Sequence, residues 1–310
     1  MTANRGQSGV LVVDKAAGVS SHHVVALTRR ALGQRKVGHA GTLDPMATGL
    51  MVLGVGQGTK LLQWLSADDK VYDAVIHWGY ETDSLDAAGK VTRRADLPAT
   101  CAAADVEAAL QPLCGAQMQV PPAVSAIQVQ GRRAYALARA GQPPDLPPRS
   151  VHLHAATLRG AAPRGVALRL HCSKGYYVRA LARDLGHALS TLGTLVRLRR
   201  RRSGRFQLQQ ACSMSWLRAA AAGDAAMRVR LWHRLQPLAA AAGHLPVVAL
   251  SDAQRQAVLH GRALPICGLA LPAAPSAEPP YALVDAAGCL LAIATPSGDV
   301  LRVQRGFSPE

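Results

Sequence analysis

The stretch "GHAGTLDPMATG" (38–49) holds a single carboxylate, Asp44, in a loop with glycines at Gly38, Gly41 and Gly49. Aspartate followed by proline often does no more than start a turn, because the aspartate side chain bonds its own backbone and proline presets φ. The alternative is that the loop holds Asp44 rigidly for chemistry. The rest of the sequence has to decide between these two interpretations.

Apolar spacing and capping residues predict short strands and capped helices around this loop. Strands are predicted over 9–15, 70–80 and 166–175, and helices over 20–33, 105–113 and 176–189. In the second strand, alternation places Tyr72 on one face and Asp73 on the other. Because the strands and helices lack regular βαβ alternation, the sequence predicts an α+β fold.

The chain length allows about two domains, and we expect the boundary near 243–246. The first domain is then 1–245 and the second 246–310. Beyond the boundary, the sequence predicts one helix capped by Ser251 and short strands at 281–285, 289–294 and 299–304. These elements predict a small β-rich domain.

Charge indicates a polyanionic partner. Lysine and arginine total 35 against 19 acidic residues, a net charge of +16. From Pro246 onward there are four basic and five acidic residues, so that part is net −1 and the first 245 residues carry +17. The polyanion is therefore expected to bind mainly to the larger N-terminal part.

Cysteine and apolar patterns predict a cytoplasmic protein without a membrane segment. The 6 cysteines form no close C-x-x-C pair, so we expect reduced thiols and no structural zinc site. The N-terminus "MTANRGQSG" has no apolar h-region, and no apolar run approaches the length of a membrane span.

Two weak motifs suggest other functions. "GVGQGTK" (54–60) is similar to a phosphate loop, but Thr59 separates Gly58 from Lys60, so a tight turn is preferred. "HLH" (152–154) has a spacing that could seat a metal on a strand. No third ligand stands nearby, so two histidines on one strand face are the preferred interpretation.

The densest basic run is "VRLRRRRSGRF" (196–206), which has six arginines and no acid. Such a run is often only a solvated face. Arginine also suits bidentate phosphate contacts, so nucleic acid is the alternative partner. Tyr72, Tyr176 and Tyr177 are either ordinary packing residues or stacking surfaces for an unstacked base.

Six distinct motifs follow one another over about 9–206. They are "LVVDKAAGVSS", "VGHAGTLDPMATGLMVLGVGQGTK", "KVYDAVIHWGYETDSLDAAG", "PPAVSAIQVQGRRAYALARAG", "CSKGYYVRALARDLG" and "LRRRRSGRF". Together and in this order, they resemble the TruB family of bacterial tRNA pseudouridine-55 synthases, and they favour a catalytic Asp44 over a simple turn. In the first motif Ala16 stands where members usually carry proline.

The resemblance implies an architecture and a reaction. It implies a pseudouridine-synthase catalytic domain with a mixed, mainly antiparallel sheet and an RNA-gripping insertion at about 118–150. The tail more weakly resembles the family's small PUA-type domain. The reaction is isomerisation of a uridine at position 55 of the tRNA T-loop, which needs one carboxylate because no net hydrolysis occurs.

By the same resemblance, residues take individual roles. Asp44 is the nucleophile or base, and Arg179 is expected to hold its pKa low and fix its rotamer. Tyr72 stacks on the flipped uracil, Tyr177 and Leu198 wall the pocket, and His39 fills the space that the base vacates. The expected RNA contacts are Lys15, Arg132, Arg133, Arg200, Arg201 and Arg202, while Arg139 is either a phosphate contact or a plain surface residue.

We expect no metal, no organic cofactor and no obligate protein partner, with a tRNA T-stem-loop bound by a monomer. A non-catalytic RNA-binding module or tRNA-folding chaperone is the alternative function. It is disfavoured because a pure binder does not need a carboxylate facing RNA phosphates. The sequence leaves open whether Asp44 attacks C1′, attacks C6 or removes the 2′ proton.

Overall fold

The computed structural model describes residues 7–98, 102–125, 127–129, 131–142, 144–272 and 280–308 of the 310-residue chain. Within them, nothing is described of the side chains of Arg133 and Arg139. Strands and helices alternate irregularly along the chain.

The described residues form strands that are numbered in chain order. The first seven are β1 (Gly9–Lys15), β2 (Val37–His39), β3 (Thr48–Val55), β4 (Lys70–Trp78), β5 (Tyr80–Thr82), β6 (Val91–Arg94) and β7 (Gly115–Gln119). The next seven are β8 (Gln128–Val129), β9 (Arg132–Arg133), β10 (Arg149–Ala162), β11 (Gly165–Cys172), β12 (Gly193–Ser203), β13 (Phe206–Gln207) and β14 (Cys212–Ser213). The last five are β15 (Val247–Ala249), β16 (Leu264–Pro265), β17 (Tyr281–Val284), β18 (Leu290–Ser297) and β19 (Val300–Gly306).

The α-helices of the described residues are short, and three 3-10 helices accompany them at Gly56–Leu61, Gln111–Leu113 and Leu208–Gln210. None of these helices is long and apolar enough to cross a membrane. The α-helices are α1 (Ser21–Leu32), α2 (Leu62–Ala67), α3 (Ala103–Leu110), α4 (Ala134–Arg139), α5 (Val178–Ala188), α6 (Met214–Ala221), α7 (Ala225–His233), α8 (Leu238–Ala241) and α9 (Asp252–Leu259).

One large sheet organises the N-terminal part. Its strand order is β14-β1-β3-β12-β4-β11-β10-β7, with β2 paired to β3 and β13 paired to β12. Only the β1–β14 and β3–β12 pairs of this sheet are parallel among the described strands. The predicted α+β fold with a mixed, mainly antiparallel sheet is therefore confirmed.

Local chemistry explains the elements that flank the Asp44 loop (residues 40–47). Ser20 caps α1 by accepting a hydrogen bond from the His23 amide, and Gly33 ends the helix at φ 64°. In β4, buried and part-exposed residues alternate, so Tyr72 faces the core and Asp73 does not. The Asp44 loop then lies between β2 and β3, beside the start of α1.

Helices α1, α5 and α6 pack on one face of the sheet and bury its main apolar cluster, which includes Leu53, Ile76 and Leu217. A second cluster lies on the opposite face of β1 and β3. There Val12 and Leu50 share a core with C-terminal residues such as Ile293. The C-terminal part is thus joined to the sheet by continuous apolar packing.

The C-terminal part forms its own five-stranded sheet in the order β15-β17-β18-β19-β16. Polar bonds add to its attachment: the Gln57 amide exchanges two hydrogen bonds with the Ser308 backbone, and Lys60 Nζ donates to Gly306 O at 2.6 Å. "GVGQGTK" is therefore the end of β3 and a 3-10 helix that bonds to the C-terminal part, where a tight turn was expected. The β-rich tail is confirmed, whereas the boundary at 245/246 and the PUA-type assignment remain predictions.

In the predicted RNA-gripping insertion (118–150), the described backbone forms the β8–β9 hairpin followed at once by α4. Residues 126, 130 and 143 of this segment are outside the described ranges. The described thiols Cys114, Cys172, Cys212, Cys267 and Cys289 are free, and Cys172 and Cys212 are buried.

Candidate active site

The loop that carries Asp44 is fixed from both sides. The Ser21 hydroxyl donates to the Leu43 carbonyl and accepts from the Leu43 amide, both at 2.9 Å. On the other side, the Pro45 carbonyl accepts from Lys15 Nζ at 3.2 Å and from the Gly18 amide at 2.8 Å. The residues before and after Asp44 are therefore anchored, and the carboxylate has little freedom to move.

Arg179 holds the Asp44 carboxylate through both oxygens. Arg179 Nε lies 3.0 Å from Asp44 Oδ2, and a terminal nitrogen donates to Oδ1 at 3.3 Å. The other terminal nitrogen donates to the carbonyls of Ser84 and Val124 at 2.8 and 2.9 Å. This forked contact matches the geometry of a guanidinium and fixes the carboxylate rotamer.

A second carboxylate, Asp86, completes this network, and the sequence reasoning did not assign it. Asp86 Oδ2 lies 3.8 Å from Arg179 Nε, and Oδ1 accepts from the Ser84 hydroxyl at 2.8 Å. Asp86 is 5% exposed, so its charge is compensated chiefly by Arg179. The signal that could have found it is the second acid of "TDSLDAAG" (82–89), which lies inside one of the six motifs.

Burial dominates the acid–base behaviour of Asp44. It raises the pKa of the Asp44 carboxyl above its ordinary value, and the Arg179 guanidinium opposes this shift. The nearby Asp86 charge raises the pKa further, while Lys15 lowers it. Arg179 thus lowers the pKa of Asp44 as expected, but the net shift is upward, because desolvation outweighs the ion pair.

The carboxylate faces a cavity of about 280 Å³. Six residues predicted for the site line it together: Asp44, Tyr72, Tyr177, Arg179, Leu198 and Arg200. The backbone of Tyr177, directly before α5, exchanges hydrogen bonds of 2.9 and 3.2 Å with the Gln119 side chain. A floor of one ion pair with aromatic walls can hold a flat, polar ring beside a carboxylate.

His39 does not line this cavity. It lies on β2, where its ring meets that of His22 edge-on at 5.8 Å between centroids. Its Nδ1 is buried and has no hydrogen-bond partner among the described residues. Burial, with His22 and Arg200 nearby, lowers the pKa of His39. A neutral ring at the edge of the site is what the structure presents.

Two predicted RNA contacts are buried instead. Arg200 is 1% exposed, and its guanidinium donates to the carbonyls of Leu50 at 2.6 Å and Gly41 at 3.1 Å. Lys15 is 0% exposed, and burial lowers the pKa of Lys15 to about 8 against the pull of Asp44. Both side chains bond to backbone carbonyls, Lys15 away from the cavity and Arg200 at its wall, so the predicted surface RNA contacts of these two residues are corrected.

The remaining predicted RNA contacts differ in exposure. Arg132 is exposed on the β8–β9 hairpin, and the side chain of Arg133 lies outside the described part. Arg201 Nε lies 3.5 Å from Asp73 Oδ2, and an Arg202 terminal nitrogen lies 3.2 Å from His171 Nε2. Arg201 and Arg202 are partly exposed, so an RNA role for them remains a prediction.

Comparison with known proteins identifies the family. A model of the TruB family pseudouridylate synthase N-terminal domain matches residues 29–178. The "tRNA pseudouridine synthase B" of Thermobifida fusca (strain YX) is 44% identical over 262 residues, which cover 82% of this chain and 85% of that relative. The protein of the same name from Mycobacterium bovis (strain BCG / Pasteur 1173P2) is 40% identical over 302 residues, covering 95% of this chain and 94% of the relative.

A solved Cbf5-Nop10-Gar1 complex contains a chain with the same fold. It superposes with a TM-score of 0.76 at 24% identity, over 97% of this chain and 85% of that one. The sheet, the carboxylate–guanidinium pocket and these sequence matches agree. The chain belongs to the TruB family of pseudouridylate synthases, and it is an enzyme of that class.

Proposed function

We propose that this protein converts a uridine of tRNA to pseudouridine, at position 55 in the T-loop, with Asp44 as the essential group. The observation that carries the proposal is the forked Arg179–Asp44 contact at the floor of the cavity. Support for tRNA as the substrate comes from the names of the relatives, which span most of this chain.

The geometry is suited to an isomerisation. The N-glycosidic bond breaks, the uracil turns, and a carbon–carbon bond forms, so the products differ from the reactants only in connectivity. One ionised carboxylate can serve as nucleophile or base, and Arg179 orients it. The reaction involves no net oxidation or hydrolysis, which is why no organic cofactor is part of the proposal.

A uridine inside a folded loop has to be extruded before Asp44 can reach it. The cavity walls offer surfaces for the extruded base: Tyr72 for stacking, and Tyr177 and Leu198 beside it. Exposed Arg132 and the partly exposed Arg201 and Arg202 are proposed to follow phosphates. We propose that the protein acts as a cytoplasmic monomer on tRNA.

A non-catalytic tRNA-folding module is the competing function. Such a module needs a basic surface, and it gains nothing from a buried carboxylate, because a carboxylate near phosphates weakens binding. Asp44 and Asp86 both lie beside Arg179, where they reduce the net positive charge. A carboxylate at the cavity, with a second one behind Arg179, is therefore better explained by chemistry than by RNA affinity.

The deciding experiment incubates purified protein with an unmodified tRNA transcript and maps pseudouridine by chemical probing. A matched transcript with cytidine at position 55 is the control for the site of modification. Pseudouridine at position 55 alone supports the full proposal. Pseudouridine elsewhere would retain the enzyme and reject the position, and none at all would favour the binding module.

A further inference from the structure

Three groups with metal-binding atoms meet on the large sheet, outside the catalytic cavity. They are Asp69, which directly precedes β4, His154 on β10 and His171 on β11. Each offers one ligand atom, and the three atoms lie within 4.8 Å of one another. None of these residues lines the cavity described above.

Strand pairing explains why these residues meet. The register between β10 and β11 shifts between Leu153 and Ala155, so His154 is the extra residue of a β-bulge. A bulge re-aims the side chain it carries. Here the His154 ring lies tilted by 42° against the His171 ring, with centroids 4.7 Å apart, and both face Asp69.

The distances are close to those of a metal site. Asp69 Oδ2 lies 3.1 Å from His154 Nε2 and 3.6 Å from His171 Nε2. In a tetrahedral zinc site with bonds of about 2.0–2.1 Å, neighbouring ligand atoms are separated by roughly 3.3 Å. The side chains are 44% (Asp69) and 34% (each histidine) exposed, which leaves an entry path and room for small rotations.

Arg202 contacts one of these ligand atoms. Its terminal nitrogen lies 3.2 Å from His171 Nε2, and because a guanidinium can only donate, this contact favours the tautomer with a lone pair on Nε2. A metal ion requires that lone pair. The same contact makes Arg202 compete with a metal ion for His171. An ion bound to His171 Nε2 has to displace the Arg202 N–H and lies near the positive charge of Arg202.

We propose that Asp69, His154 and His171 form a site for one zinc-like divalent transition-metal ion. Two imidazoles and one carboxylate suit Zn²⁺ or Co²⁺ better than Mg²⁺, which prefers oxygen ligands. The ion links the loop before β4 to β10 and β11, and its remaining positions are open to solvent. The "HLH" motif was set aside because its partners are distant in sequence. The fold brings two of them to His154.

The test is titration of the untagged, full-length protein with Zn²⁺ by calorimetry and with Co²⁺ by visible absorption, using Mg²⁺ as the negative probe. Wild type is expected to bind one Zn²⁺ or Co²⁺ and no Mg²⁺. Loss of a residue that only supports a metal ligand weakens metal binding by about 10–100-fold. Asp69→Asn, His154→Gln and His171→Gln each remove a ligand and should weaken binding by at least that much. In His171→Gln the new side chain can still accept from Arg202, so the local fold is retained.

Two further variants make the test decisive. His77→Gln removes an exposed histidine that lies on β4, outside the proposed site, and it should leave metal binding unchanged. Arg202→Met removes the competitor and should tighten binding by about tenfold, comparable to other outer-shell effects. The site is rejected if wild type binds more weakly than about 1 mM, if the ligand variants bind as wild type does, or if Arg202→Met brings no gain.

Discussion

Arg200 provides the sharpest test of the structure, because its burial contradicts the role that its sequence context suggested. It lies in an arginine-rich strand, yet it is 1% exposed and bonds to backbone carbonyls of β3 and of the Asp44 loop. The perturbation is Arg200→Met, which keeps most of the side-chain length and removes the donors. We expect this variant to lose stability and to keep its electrostatic contacts with RNA.

The magnitude follows from two short hydrogen bonds, to Leu50 O at 2.6 Å and Gly41 O at 3.1 Å. A hydrogen bond to a charged group contributes about 1.5–3 kcal/mol, and removing one member of a buried polar network costs about 3–5 kcal/mol. We therefore expect Arg200→Met to lower the free energy of unfolding by about 3–5 kcal/mol. That is a large part of the about 5–15 kcal/mol typical of a folded protein.

The assay combines urea unfolding with the salt dependence of tRNA binding by the folded fraction. Arg197→Met is the matched control, since Arg197 is exposed on the same strand β12. The control should change the free energy of unfolding by no more than about 0.5 kcal/mol. For Arg200→Met, the slope of log K against log salt should equal that of wild type.

The opposite pattern would refute this reasoning. In that case Arg200→Met would lower the free energy of unfolding by less than about 1 kcal/mol. It would also reduce the salt slope by about 0.7 or more, the value of one lost phosphate contact. Together these results would show that Arg200 contacts RNA. Arg201→Met and Arg202→Met should show that second pattern if the partly exposed arginines contact phosphates.

Three further predictions concern the catalytic cavity. Asp44→Asn should abolish turnover and keep tRNA affinity within about tenfold, or 1.4 kcal/mol. Single-turnover assays and binding titrations measure the two quantities. Turnover above a few per cent of wild type would contradict the catalytic role of Asp44. Tyr72→Phe should keep most of the tRNA-binding free energy, because stacking uses the ring face. Tyr72→Leu should lose about 1–3 kcal/mol of that binding free energy. Turnover per folded molecule, measured with thermal stability, separates stacking from packing, and normal turnover in a folded Leu variant contradicts the stacking role. The acid limb of the pH–rate profile should lie above the ordinary aspartate range, because burial raises the pKa of Asp44 and the reaction needs the ionised form. Asp86→Asn removes a like charge and should move that limb to lower pH, so a limb that stays or moves to higher pH contradicts the assigned coupling.

Elements with local causes could be predicted from the sequence. The strand at Gly9–Lys15 and the helix Ser21–Leu32 follow from an apolar run, a serine cap and a terminal glycine, and the structure has them at those bounds. The helix predicted over 105–113 ends at Leu110, where a 3-10 turn containing proline takes over. These features depend on residues within a few positions of one another.

Burial in the arginine-rich strand could not be predicted, because its alternation is interrupted. The pairing of β12 with β4 shifts register at Val196 and again at Arg201. Each shift reverses which residues face the core, so Arg200 points inward although a strict period of two does not single it out. The second carboxylate on Arg179 and the carboxylate beside His154 could not be predicted either, since Asp86 and Asp69 come from loops distant in sequence from the residues they contact.

The buried cations explain why so constrained a loop holds one carboxylate. Around Asp44 and Asp86 the structure places four cationic side chains, namely Lys15, Lys70, Arg179 and Arg200. Burial lowers the pKa of Lys15 and of Lys70 to about 8, so both remain mostly charged at neutral pH. Because Arg179 and Lys15 lower the pKa of Asp44, they offset much of the effect of burial and favour the ionised carboxylate that the reaction needs. Among the side chains that line the cavity, three are cationic (Lys70, Arg179 and Arg200) and one is acidic (Asp44), and this excess attracts an anionic nucleotide to a pocket that also holds a carboxylate.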